Sequence, residues 1–205
     1  MIKHIKMWII LLFITGTGYG QFEIGLDVFN RYVWRGTDFG NAASLQPYLE
    51  YSKGPIKIGA WSSWAVNNGN ANENDVFITA NLGGLTLSIT DYFFPVYDGS
   101  DRFFDYSEEG GEHFVEAGIS TTIKAVDIFA GYFFIDTNNS TYLELSYGPV
   151  ILGMGNGMFT IEPEDENDSF GIVNIGITAQ RDLFSAAYII NPQQETSFLV
   201  FGVSL

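Results

Sequence analysis

Four charged residues, Glu23, Asp27, Arg31 and Arg35, recur at intervals of four along one segment of alternating apolar and polar residues. Residues an even number apart lie on the same face of a strand, so this spacing places two carboxylates and two guanidinium groups on one side. Two roles are open to such a face. The charges could select permeating ions at a constriction, or they could brace the wall as an arginine–carboxylate network.

Later segments add further charges to the same, polar face. These candidates are Glu50, Lys57, Asp75, Glu116, Asp127 and Glu144. Together with the first four residues they give seven acids against three bases. A passage lined in this way would prefer cations and disfavour anions.

The pattern offers no catalytic residue, metal site or cofactor site. Beyond residue 20 the only histidine is His113, and its neighbour Glu112 would point to the opposite face of a strand. The chain has no cysteine, which excludes thiolate metal sites and disulfides. The acidic run Glu162–Asp168 lacks the spacing and the central glycine of an EF-hand loop. The formal net charge of −15 argues against a nucleic-acid partner, because a phosphate-binding surface must be basic.

Residues 1–20 have the composition of a signal peptide. Lys3 and Lys6 precede the apolar run Met7–Thr15, and Gly18 and Gly20 are the small residues expected before a cleavage site. We therefore expect export and cleavage, leaving residues 21–205 as one domain. No later apolar run reaches the roughly 18–20 residues of a membrane helix.

The remainder of the chain is predicted to form twelve short strands. They cover residues 22–36, 45–53, 55–66, 75–83, 84–95, 113–123, 125–136, 140–148, 149–160, 170–180, 182–191 and 195–205. On the first strand Phe22, Ile24 and Val28 alternate with polar or small residues. Because the polar face carries small side chains, it cannot fill a solid core, so we expect it to face water inside a barrel and the apolar face to point outward.

The connections between these strands alternate between short and long. The short ones are Lys53-Gly54-Pro55, Gly83-Gly84, Lys124-Ala125, Gly148-Pro149 and Arg181-Asp182, and the long ones include Asn67–Asn74, Val96–Glu112 and Glu162–Ser169. Bacterial outer-membrane barrels have tight periplasmic turns and long outer loops. The sorting predicts an all-β fold, a transmembrane antiparallel up-and-down β-barrel of about twelve strands. Alternation by itself would also fit a secreted, soluble β-sandwich.

Aromatic residues lie near the ends of the strands that lead into the long loops. They are Tyr32, Trp34, Tyr92, Phe93, Phe94, Phe133 and Phe134. Because aromatic rings favour the bilayer interface, we expect an outer girdle from them.

Several short motifs resemble those of the TorF-type porins, a family of bacterial outer-membrane proteins. They are Arg31-Tyr32-Val33-Trp34-Arg35-Gly36, Gly59-Ala60-Trp61-Ser62-Ser63, Tyr92-Phe93-Phe94-Pro95 and Phe114-Val115-Glu116-Ala117-Gly118. The resemblance is best over residues 22–95. It implies an outer-membrane barrel with a pore, and it supplies no substrate.

These observations predict a porin-like channel in the outer membrane of a Gram-negative bacterium, and not an enzyme. It would pass small hydrophilic solutes by diffusion, with a preference for cations, and would line its pore with Glu23, Asp27, Arg31, Arg35, Glu50, Lys57, Glu116 and Glu144. Its expected partners are outer-membrane lipid, lipopolysaccharide and further copies of itself. The alternative is a non-conducting surface barrel that adheres or binds through its acidic outer loops.

Overall fold

The computed structural model of the protein describes residues 20–67, 71–95, 103–107, 112–136, 138–160 and 170–205. Nearly all of the predicted signal peptide, the acidic loop Glu162–Ser169 and most of the predicted loop Val96–Glu112 lie outside the described residues. The strands of the described part are β1 (Gln21–Phe29), β2 (Tyr32–Trp34), β3 (Thr37–Phe39), β4 (Ser44–Lys53), β5 (Ile56–Ala65), β6 (Glu73–Asn81), β7 (Leu85–Phe93), β8 (His113–Ile123), β9 (Val126–Ile135), β10 (Thr141–Tyr147), β11 (Val150–Gly155), β12 (Gly171–Arg181), β13 (Phe184–Asn191) and β14 (Thr196–Ser204).

Twelve of these strands, β1 and β4 to β14, form one closed antiparallel barrel. Each strand pairs with its neighbours along the chain, and β1 completes the ring by pairing with both β4 and β14. This arrangement confirms the predicted all-β, up-and-down barrel of twelve strands. Strands β2 and β3 form a separate two-stranded sheet. No helix among the described residues is long and apolar enough to cross a membrane.

Side chains alternate between the outer surface and the interior because successive residues of a strand point to opposite faces. On β1 the outward Phe22 and Ile24 are 71% and 75% exposed, and Glu23 and Asp27 line an interior cavity. Each of the twelve barrel strands carries at least one large apolar side chain that is exposed on the outside. The apolar-out, polar-in assignment made for the first strand is therefore correct.

All five predicted tight turns join barrel strands at the same end of the barrel, here called the turn end. Lys124 and Asp182 have φ values of 59° and 55° in these turns, in the left-handed region that two-residue hairpin turns require. The remaining connections lie at the opposite end, here called the loop end. The sorting of short and long connections that the sequence suggests is thus present in the fold.

The first predicted strand, 22–36, is too long. The structure ends β1 at Phe29 and places a hairpin of β2 and β3 after it. The hairpin turns at Arg35 and Gly36, whose φ values of 49° and 86° are incompatible with a continuing strand. The alternation of side chains continues through Trp34 and so hides the break from sequence reasoning.

The seam between β1 and β14 is the shortest pairing in the ring. β1 pairs with β4 at nine positions but with β14 at three only. The side chain of Asn30 extends the seam, because its Nδ2 donates to the Leu199 carbonyl at 3.1 Å and its Oδ1 accepts from the Phe201 amide at 2.7 Å. The side-chain amide of Asn30 thus supplies one donor and one acceptor to β14, as one more backbone residue of the strand would.

Replacing Asn30 should therefore weaken closure of the barrel. Asn30→Ala removes both contacts with β14, and we expect a loss of about 1–2 kcal/mol in the free energy of unfolding. Asn30→Asp keeps the acceptor for the Phe201 amide and should lose less. Denaturant titration in detergent micelles measures the free energy of unfolding of the wild type and of both variants. Equal stability of the alanine variant and the wild type would show that the amide does not support the seam.

Candidate functional site

The hairpin of β2 and β3, with its flanks at residues 30–43, lies inside the barrel and is called the interior hairpin. Three of its contacts reach β5, β9 and β13, which are evenly spaced around the ring: Tyr32 with Trp61, Trp34 with Phe133, and Gly36 with Asn191. An element that touches three such strands must occupy the interior. Because the hairpin follows the end of β1, it fills the loop-end half.

The tip of the interior hairpin sits directly against the wall. A Cβ atom added at Gly36 would lie 2.0 Å from the Val173 carbonyl oxygen, so only glycine fits there. The Gly36 carbonyl accepts a hydrogen bond from Asn191 Nδ2 at 3.2 Å, and Gln194 Nε2 donates to Thr37 Oγ1 at 3.1 Å. These contacts hold the tip against β12, β13 and the connection that follows β13.

A buried ion pair joins the hairpin to β8. Arg35 donates from Nη1 and Nη2 to the two carboxylate oxygens of Glu116, at 2.8 Å and 3.0 Å. The Tyr92 hydroxyl donates to Glu116 Oε2 at 2.8 Å. The two charged side chains are only 9% and 3% exposed. Bidentate geometry of this kind is the strongest form of carboxylate recognition by arginine.

Aromatic rings surround the guanidinium group of Arg35. Its Cζ atom lies within cation–π distance of five ring centroids, those of Tyr142 (4.3 Å), Trp34 (4.4 Å), Phe129 (5.1 Å), Phe159 (5.5 Å) and Phe133 (5.8 Å). Phe133 and Tyr142 are almost fully buried. The rings keep water away from the ion pair, and their faces stabilise its cation.

Two inward-facing glycines make room for this cluster. A Cβ atom at Gly131 would lie 1.9 Å from Glu116 Oε1, and one at Gly153 would lie 2.1 Å from the Tyr142 hydroxyl. Both glycines lie on barrel strands next to the strand whose side chain they admit. The wall is therefore shaped to take in the cluster.

The turn-end half of the interior is open and acidic. Three adjoining cavities of about 570, 530 and 350 Å³, each sharing lining residues with the next, are together called the vestibule. Its charged lining residues are Glu23, Asp27, Glu50, Lys57, Asp75, Asp127 and Glu144. The one lysine is neutralised, because its Nζ lies 2.6 Å from Glu50 Oε2.

A separate apolar cavity lies on the other side of Tyr92. It has a volume of about 390 Å³ and lies between the interior hairpin and the wall, where it is bordered by Trp34 and Phe133. Tyr92 lines both this cavity and the vestibule. Tyr92, whose hydroxyl contacts the ion pair, thus lies between the two spaces.

Most of the charges predicted to line the barrel do face its interior. Those bordering the vestibule are Glu23, Asp27, Glu50, Lys57 and Glu144, and Glu116 faces the loop-end half. That they line a pore stays a prediction.

The predicted positions of the two arginines are wrong. Arg31 and Arg35 do not share a strand face with Glu23 and Asp27, because the wall strand ends before them. Arg31 pairs with Asp38 inside the hairpin, and Arg35 crosses to β8. Of the two roles considered for these arginines, bracing is the one that the contacts of Arg35 show, although it braces the hairpin and not the wall alone.

The predicted outer girdle of aromatic rings is wrong for most of its members. Tyr32, Trp34, Tyr92, Phe94 and Phe133 contact one another or the hairpin in the interior. The signal for Tyr92 was present in the sequence. It shares a strand face with Ser88 and Thr90, which are polar and inward-facing.

Removing one partner of the Arg35–Glu116 pair should destabilise the protein more than removing both. Arg35→Met leaves the Glu116 carboxylate buried without a cation, and we expect a loss of about 3–5 kcal/mol in the free energy of unfolding. Glu116→Gln leaves the Arg35 guanidinium group buried without a counter-charge, and we expect a similar loss. The double variant should recover part of the loss, because neither charge remains. A double-mutant cycle measured by denaturant titration checks this, and strictly additive losses would contradict it.

Comparison with models of known protein families finds no match for this chain. Comparison with curated proteins finds no similar protein either. The resemblance to the TorF-type porins therefore stays a prediction that rests on the motifs in the sequence.

Proposed function

We propose that the protein is a passive, non-catalytic channel in the outer membrane of a Gram-negative bacterium, exported with a signal peptide that is then removed. It conducts small hydrophilic solutes and prefers cations. The interior hairpin forms its constriction. Lipid and lipopolysaccharide surround it, and copies of the barrel associate in the membrane. The motifs that resemble the TorF-type porins agree with this proposal.

The proposal rests on the distribution of polarity, with apolar side chains on the outer surface and polar side chains in the interior. Large apolar side chains are exposed on all twelve strands, for example Phe22, Ile58, Ile89, Ile177 and Phe201. A soluble monomer rarely exposes an apolar patch of more than a few hundred square ångströms, and here the exposed residues encircle the molecule. Lipid is the solvent that such a surface fits. Nine of the twelve barrel strands also have 9–11 residues, which is long enough to cross a bilayer when tilted.

The charge of the vestibule supports a preference for cations. Six carboxylates and one lysine line it, and the lysine is paired. Low-dielectric walls focus the field of such charges and raise the local concentration of counter-ions. Anions would meet this field before they reach the constriction.

The position of the hairpin supports a gated passage. The hairpin and its aromatic rings separate the vestibule from the loop end at Tyr92 and Arg35. The hairpin is a connection and not part of the wall, so it can shift without breaking the strand ladder of the barrel. A change in its seating is therefore enough to open a path.

The close packing of the same hairpin favours one other function. Arg35 is so well enclosed that the barrel could stay closed permanently and act as a non-conducting surface protein. The experiment below separates the two functions.

Gly36→Ala should increase single-channel conductance severalfold in planar bilayers. The added Cβ would collide with the Val173 carbonyl, and the φ of 86° strains any side chain, so the tip of the hairpin must leave the wall. Gly54→Ala is the matched control. Gly54 also has a positive φ of 59°, but its added Cβ meets nothing within 4 Å.

Each outcome for folded protein decides between the functions. Small conductance steps in the wild type that grow in Gly36→Ala, but not in Gly54→Ala, support the gated channel. No steps in either the wild type or Gly36→Ala would favour the non-conducting barrel. Equal conductance in all three proteins would show that the hairpin is not the constriction.

Neutralising a vestibule acid should lower the preference for cations. Glu144→Gln removes one of the six carboxylates, and we expect the ratio of cation to anion permeability to fall. Glu195→Gln is the matched control, because Glu195 is exposed in the turn between β13 and β14. Reversal potentials in a salt gradient measure the ratio. A wild type that prefers anions at neutral pH would contradict the proposed role of the vestibule.

A further inference from the structure

Four oxygen atoms on β5 and β6 are buried without a hydrogen-bond donor. Both carboxylate oxygens of Glu73, Oδ1 of Asp75 and Oγ of Ser63 are inaccessible to solvent and unpartnered among the described residues. Glu73 and Ser63 are each only 1% exposed, and Asp75 is 6% exposed. Buried polar atoms in folded proteins are nearly always paired, so four orphans in one place need an explanation.

The backbone register brings these atoms together on the interior face. Ser63 and Glu73 are direct partners across β5 and β6, and Asp75 follows Glu73 on the same face. The carboxyl groups of Glu73 and Asp75 lie close enough to interact. The Tyr32 hydroxyl of the interior hairpin also lies beside Glu73, although it does not reach either oxygen with hydrogen-bond geometry.

No basic side chain neutralises the two carboxylates within the described part of the chain. The ion pairs formed there join Arg31 to Asp38, Arg35 to Glu116, Lys57 to Glu50 and His113 to Asp91. Two buried carboxylates in contact must either share a proton or hold a cation. A single cation accounts for all four oxygen atoms, because the neutral Ser63 hydroxyl lies across the strand pair from Glu73 and can also coordinate a cation.

We propose that Ser63, Glu73 and Asp75, with Tyr32 as a fourth donor, bind a hard divalent cation of the calcium type. All the donors are oxygen atoms, the ligands that Ca²⁺ prefers, and two carboxylates match its charge. Mg²⁺ fits less well, because it keeps several water molecules and this site is buried. The described residues contain no group of three or more Asp, Glu, His or Cys side chains that could hold a metal ion. The proposed site therefore combines two carboxylates with hydroxyl oxygens.

The site has an entrance and a connection to the hairpin. Asp75 and Trp61 line the vestibule, so a cation can enter from the acidic side of the barrel. The ring of Tyr32 packs on Trp61 at 5.4 Å between centroids. A bound cation therefore fastens β5 and β6 to the interior hairpin. This inference does not depend on conduction, because a closed barrel would bind the ion in the same way.

Terbium luminescence tests the site in the refolded full-length barrel. Tb³⁺ replaces Ca²⁺ at oxygen sites and emits when a nearby indole is excited, and Trp61 is the nearby indole here. We expect sensitised emission from the wild type, suppressed by added Ca²⁺ more effectively than by added Mg²⁺. Glu73→Gln and Asp75→Asn should each weaken binding at least about tenfold.

Matched variants separate this site from the exposed acids of the chain. Trp61→Phe should strongly reduce the emission excited through indole, and Trp64→Phe should preserve it, because Trp64 lies on the outer face of β5. Glu195→Gln and Asp182→Asn change exposed acids and should leave the affinity unchanged.

Calcium should also raise the midpoint of thermal unfolding of the wild type, because a ligand that binds only the folded state stabilises it. The proposal is overturned if folded wild type gives no sensitised emission at neutral pH, the result expected if the carboxylates share a proton. It is also overturned if emission persists in the Glu73→Gln/Asp75→Asn double variant. The wild-type measurements decide the matter even if a variant fails to fold.

Discussion

A guanidinium group inside a barrel needs a counter-charge, partners for its N–H donors and protection from competing water. Arg35 obtains all three from different parts of the chain. Glu116 neutralises it through two hydrogen bonds, Tyr92 orients the carboxylate, and aromatic rings enclose the pair. The seating of the interior hairpin, the inward direction of the rings and the placement of glycines in the wall all follow from this one requirement.

The ion pair also divides the interior into two chemical environments. On the loop-end side aromatic rings of the hairpin and the wall enclose Arg35, whose charge is stabilised because it is fully paired. On the turn-end side the vestibule is open and is lined mainly by polar and acidic side chains. One element, the hairpin, therefore separates the two environments within the barrel.

The fold could be predicted from the sequence to a large extent, because its signals are local. Alternation fixes which face of each strand is apolar, and residues such as Gly54 and Asp182 mark the tight turns. Strand number and the sorting of connections follow from these two features. Closure of the ring agrees with them as well, since closing a sheet removes the unpaired edges that an open sheet would leave.

The site could not be predicted in the same way, because its contacts are distant in sequence. Arg35 and Glu116 are 81 residues apart, and nothing in either segment points to the other. The even spacing from Glu23 to Arg35 continues the period of β1 through a hairpin that has left the wall. Only the pair Arg35-Gly36 indicates a turn in this segment. The alternation of side chains before it is the stronger signal and favours a continuous strand.

The short seam ties the assembly of the wall to the filling of the interior. β1 is the strand that closes the ring, and Asn30 joins it directly to the interior hairpin. The residues that meet at the seam are 171 positions apart, so their pairing requires most of the sheet to be curled already. The hairpin must lie within that curl when the two ends of the chain meet. We therefore expect closure of the wall and packing of the interior hairpin to be coupled late in folding, at the joint with the fewest backbone contacts.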